Sequence, residues 1–137
     1  MGYYVRIEDS TLSLPKENYD EALDILKELN DHDNLKHGGG SDGKIWFSWM
    51  PEDYDKTVTS VKEIFELLGF EMTESVSGLS EFRYDSKIGD EEIFLSAISH
   101  LLDGYIVWHG DDGDMWKFKY GKDVPEYFRP TIKWIGQ

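Results

Sequence analysis

Apolar residues in this 137-residue chain recur at two spacings, and these alternate along its length. Between Gly104 and Tyr120, Ile106 and Trp108 alternate with Val107 and His109, and Trp116, Phe118 and Tyr120 alternate with Lys117 and Lys119. A period of two on both sides of a Gly-Asp-Asp-Gly-Asp turn predicts an antiparallel hairpin. One of its faces is rich in aromatic rings and needs an apolar layer to cover it. The same alternation places Tyr3, Val5 and Ile7 on one face of an N-terminal strand. Leu12 and Leu14 follow in the opposite phase, which predicts a bulge near Asp9.

Helical spacing governs three segments. Ala22, Ile25, Leu26 and Leu29 form an i, i+3, i+4, i+7 stripe that starts after Pro15 and runs to about Asn30, with Glu17, Asp20 and Glu21 at its positive end. Val58, Val61, Ile64, Phe65 and Leu68 form a second stripe, with Asp53 or Asp55 as its cap and Gly69 as its stop. Phe94, Ala97, Ile98 and Leu101 form a third, opened by Asp90-Glu91-Glu92. Two strands around Ser77-Gly78 and one over Ile45–Trp49 complete the set. In that last strand Phe47 and Trp49 are expected to face the core, leaving Trp46 for a binding face. The expected fold is α+β: a mainly antiparallel sheet with about three helices packed on one face. Residues 1–120 would form one domain, and residues 121–137 an extension packed on the body or on another copy of the chain.

Charge changes the picture most. Asp and Glu number 28 against 14 Lys and Arg, a formal net charge of −14. Such a field repels nucleic-acid phosphates and draws a basic protein surface. Residues 117–137 hold Lys117, Lys119, Lys122, Arg129 and Lys133 against Asp123 and Glu126, a local +3 that leaves −17 on residues 1–116. The absence of cysteine removes thiolate chemistry and disulfides. No apolar run approaches the roughly 20 residues of a membrane-spanning helix. A cytoplasmic protein that neither binds nucleic acid directly nor enters a membrane is expected.

Motifs that suggest chemistry are weak. Gly38-Gly39-Gly40 precedes Lys44 but lies between a helix and a strand, the reverse of a phosphate loop, and a mobile connector is expected there. Asp111, Asp112 and Asp114 lack the spacing of a calcium loop, because the twelfth position is Lys122. They read as turn residues, and no metal or cofactor is expected. His32 and His37 lack zinc-enzyme spacing. The one enzymatic centre that can be drawn is His109 with Asp111 or Asp114, without a nucleophile.

Several stretches together resemble a group of small phage and prophage proteins: Met1-Gly2-Tyr3-Tyr4, Glu28-Leu29-Asn30, Lys44 to Pro51, Leu68-Gly69-Phe70, Tyr84 to Lys87 and Trp108 to Trp116. The likeness spans about residues 1–120. It implies a mobile genetic element in a bacterium, and an accessory protein that binds, blocks or sequesters host components. Two binding readings follow. In the first, the protein inhibits a host protein with a basic surface through acids such as Glu52, Asp53, Asp55, Asp111, Asp112 and Asp114, with Trp46 beside them. In the second, it sequesters a small nucleotide-like signal with Trp108, Trp116, His109, Lys117, Lys119, Arg129 and Lys133. An enzyme of unknown class is a third reading.

Overall fold

The structure, a computed structural model, describes residues 2–40, 42–131, 134 and 136. It is α+β, with antiparallel pairing in every sheet. The first strand, β1 (Tyr4–Ser10), contains the expected bulge, where its register against β8 (Gly104–Gly110) slips between Ile7 and Asp9. The slip lets Val5 on one side of it, and Leu12 and Leu14 on the other, all reach the core. The aromatic hairpin is β8 with β9 (Met115–Tyr120), and β10 (Glu126–Phe128) pairs along β9. With β7 (Asp85–Lys87) the main sheet runs in the order β10-β9-β8-β1-β7. A second sheet joins β2 (Leu14–Pro15), β6 (Gly78–Arg83) and β5 (Glu71–Ser75).

Helix α1 (Tyr19–Glu28) is framed by 3₁₀ turns and buries Ala22 and Leu26. The second helical stripe is two helices, α2 (Tyr54–Thr57) and α3 (Val61–Leu68). The extended backbone of Val58 separates them, so neither Asp53 nor Asp55 caps α3. Ser60 caps it instead: its hydroxyl accepts the Glu63 N–H at 3.2 Å, and Glu63 reaches back to the Thr59 N–H at 3.2 Å. This reciprocal box holds the Glu63 carboxyl below its ordinary range, chiefly through the Thr59 hydroxyl. Ser60→Ala should cost about 1 kcal/mol, read as a lower urea midpoint with unchanged slope. Gly69, in the left-handed region at φ 110°, ends α3. Helix α4 (Glu91–Ala97) leads through a 3₁₀ turn into β8.

One core joins the helices to the inward face of the main sheet. Trp108 lies within it, its ring centroid 5.5 Å from Tyr84 and 6.3 Å from Phe70, and Phe65, Phe70 and Phe82 meet edge-on beside it. A second aromatic group, Phe47, Tyr54 and Phe94, ties α2 to α4.

The segment around Trp46 departs from expectation. The strand there, β4, is only Ile45–Trp46, and it pairs with β3 (Gly38–Gly39). The chain then turns, with the Met50 N–H bonding the Phe47 carbonyl at 2.9 Å. Phe47 and Met50 are buried, while Trp49, at φ 72°, is 49% exposed. Trp49 is therefore the outward residue and Trp46 the half-buried one. The glycines explain why: a side chain on Gly38 would sit 2.5 Å from the Trp46 indole, and one on Gly40 at 3.2 Å. Those two glycines seat a tryptophan ring against bare backbone, where a mobile connector was expected.

Candidate functional site

The acids expected at a partner interface fall into two separate groups, at 52–55 and at 111–114. The first stands at the C-terminal end of α1. There Asn30 Nδ2 donates to the Glu52 carbonyl at 2.9 Å and to Asp55 Oδ1 at 2.8 Å, tying the 52–55 segment to the helix end. Asp31 and Asp55 both lie close enough to the Tyr54 phenol to push its pKa up, in addition to the larger effect of burial. That phenol donates to the Leu26 carbonyl at 2.7 Å inside the core. The arrangement gathers Asp31, Glu52, Asp53 and Asp55 at the C-terminal, negative pole of α1. Among the described residues no Lys, Arg or His forms an ion pair with any of the four.

The second group is the β8–β9 turn, where hydrogen bonds within the fold occupy the carboxylates. The Tyr4 N–H lies 3.3 Å from Asp111 Oδ2, the Tyr3 hydroxyl donates to Asp112 at 2.6 Å, and Asp114 accepts the Met115 N–H at 3.0 Å. The Tyr3 hydroxyl is the main cause of an Asp112 carboxyl held below its usual range, and Tyr3 itself is pushed up to about 12. The turn is thus a tether between the N-terminus and the hairpin. Among the described residues no group of three or more His, Cys, Asp or Glu could hold a metal ion.

The residues expected around a small ligand divide. Trp108 is buried in the core at 3% exposure, which removes it from any surface. Trp116, Lys117 and Arg129 line one cleft of about 350 Å³, together with Val107, Met115 and Phe128, at the edge where β10 leaves β9. Lys119 pairs across the sheet with Tyr105 and Glu126 and does not line that cleft. Lys133 lies outside the described residues. His109 pairs across the sheet with Arg6 and Met115. Its Nδ1 is buried without a partner, and among the described residues no hydrogen bond joins it to Asp111 or Asp114.

A histidine–carboxylate pair does exist, and the sequence reading did not join its members. Asp90, 3% exposed, accepts from the Ser48 N–H at 2.9 Å and the His37 N–H at 3.3 Å, and its other oxygen is 2.5 Å from His37 Nδ1. His37 is thus paired with Asp90 through Nδ1. The pair lies 53 residues apart in sequence and clasps the β3–β4 hairpin to the start of α4. Only the run of acids before α4 gave a local signal, and it read equally well as a helix start.

Neither a protein-family model, nor a curated protein, nor a solved structure matches the chain. Among the described residues no helix is long and apolar enough to cross a membrane.

Proposed function

We propose that this is a noncatalytic binding protein that docks onto a basic surface of another protein through the acidic end of α1. In the setting that the phage resemblance implies, the partner is a host protein and the outcome is inhibition. One observation carries the reading: Asp31, Glu52, Asp53 and Asp55 converge on the negative pole of a helix without an ion pair among the described residues. Like charges held at that pole destabilise the free protein, and a basic partner would relieve the repulsion on contact. The turn acids fit this role less well, since Asp114 is already ion-paired with Arg129.

The test is affinity capture from host lysate followed by mass spectrometry. Capture should be strong at about 0.1 M salt and largely lost at about 1 M, as the screening length falls from about 10 Å to about 3 Å. Reversing the exposed pair, Glu52→Lys with Asp53→Lys, should weaken binding of the captured partner about tenfold or more. A partner retained equally at both salt concentrations, or equally by the reversed variant, would remove this surface from the interface.

A further inference from the structure

The core lies against one face of the main sheet, which it meets through Val5, Ile106, Trp108 and Tyr120. The strand register defines the opposite face row by row, because directly paired residues share a face. Asp85, Arg6, His109 and Met115 form one row across β7, β1, β8 and β9. Asp9, Val107, Lys117 and Phe128 form the next, across β1, β8, β9 and β10. Tyr105, Lys119 and Glu126 form a third, and Tyr4 with Lys87 closes the other end. Tyr4 and Phe128 are 48% and 42% exposed. Tyr105, Val107 and Met115 are half-buried, and none of the three is packed against the core. Apolar side chains thus run from β1 to β10 on the face turned away from the core.

The charge of this face differs from that of the whole. Arg6, Lys87, Lys117 and Lys119 stand here against Asp9, Asp85, Glu126 and Glu8, the last held by Arg6 at 3.0 Å. Four cations cancel four acids, so the formal −14 lies on the rest of the molecule. Two copies of so acidic a chain repel each other through most approaches, and least through this one.

From this arrangement we infer that the face joins two copies of the chain about a two-fold axis lying in the interface, parallel to β8. β8 is the middle strand in the order β10-β9-β8-β1-β7, so the rotation sets β9 of one copy over β1 of the other, and β10 over β7. Facing sheets align their strands to within about 30°, which keeps rows near the axis matched. Val107 then meets Val107 of the second copy, and Asp9 stands opposite Lys117 on both sides of the axis. Tyr105 positions that pair within each copy. Its hydroxyl donates to Asp9 at 2.8 Å, and Lys117 Nζ lies 4.7 Å from its ring centroid. Self-complementary charge around an apolar centre is what an isologous interface requires. The residues are not those at the acidic end of α1, and neither reading depends on the other.

Sedimentation velocity of the full chain from about 1 to about 500 μM tests the inference, since five short strands make a small interface and a Kd of about 10–100 μM is expected. Salt screens the repulsion between copies, so the dimer should persist or tighten at about 1 M salt, the reverse of the capture expected at α1. Val107→Lys sets two ammonium groups together on the axis and should leave a monomer at every concentration. Asp9→Lys and Lys117→Glu should each weaken self-association about tenfold. An equal mixture of those two variants should restore it, because opposite charges then meet on both sides of the axis. Asp9 is exposed and Lys117 points away from the core, so this charge swap decides the matter even where Val107→Lys fails to fold. A wild-type monomer at about 500 μM, a folded Val107→Lys variant that associates like the wild type, or a mixture no better than its separate variants would each overturn the dimer.

Discussion

Gly78→Ala should destabilise the protein by about 3 kcal/mol or more, and enough to impair folding at 37 °C. Gly78 opens β6 at φ 140°, a region that residues with a Cβ avoid. A methyl placed there would sit 2.1 Å from the Leu14 carbonyl oxygen and 2.9 Å from the Lys16 nitrogen. Both are backbone atoms of the β2 connection, so no side chain can swing aside. Relief would require β2 to move, and Leu14, fully buried, would leave the core with it. Gly113 provides the control. It also has positive φ, at 87°, but a methyl there meets nothing within 4 Å. Gly113→Ala should therefore cost only the left-handed strain of about 1–2 kcal/mol. Urea unfolding of both variants separates strain from clash; equal losses would show that β2 does not approach Gly78 closely.

This contact illustrates which parts of the fold the sequence displayed. Ser77-Gly78 reads as the link between two strands; the turn is Val76-Ser77, and Gly78 is already the first residue of β6. That the same glycine receives the β2 backbone across more than 60 residues leaves no local trace. The bulge in β1 was legible because Ile7 and Leu12 differ in parity, and a change of parity has few other physical sources. The end of α3 was legible because a glycine after Leu68 is a local stop. The split between α2 and α3 was hidden, because Val58 continues the apolar spacing while its backbone is extended. Trp49 was misplaced for a related reason: alternation over Ile45–Trp49 imitates a strand that the turn after Phe47 cuts short.

The sites were less legible than the fold. Trp116, Lys117 and Arg129 line one cleft because β10 folds back along β9, although alternation puts Trp116 and Lys117 on opposite faces of their strand. Trp108 was grouped with them as a stacking ring, although its alternation with Val107 and His109 already put it on the face that needed an apolar cover, and it lies in the core. Asn30 was taken only as a helix end, yet its amide assembles the acidic group by holding residues 52–55 against α1. The His37–Asp90 clasp depends wholly on tertiary contact.

Glu92 should make the protein lose stability as pH rises from about 4.5 to about 7, with a contribution of about 3 kcal/mol. Its carboxyl, partly buried beside the start of α4, is pushed up from 4.5 to about 7. Burial is the main cause, and the neighbouring Glu91 adds to it. Hydrogen bonds from the Tyr120 hydroxyl at 2.5 Å and the Ser96 hydroxyl at 3.0 Å work in the other direction and are outweighed. The folded state holds this proton more tightly than the unfolded chain. Below the unfolded value both states are protonated and the contribution is fully present; above the folded value both are ionised and it is gone. Mutual repulsion among 28 acidic residues also weakens the fold as pH rises, so the wild-type curve alone does not isolate this group. Glu92→Gln does isolate it. The amide keeps the size, leaves an oxygen for the Tyr120 hydroxyl to bond, and cannot ionise. Urea unfolding across this pH window should show the variant falling less steeply and overtaking the wild type by about 3 kcal/mol above pH 7. Parallel curves for the two proteins would mean that Glu92 ionises in the folded state as readily as in the unfolded chain.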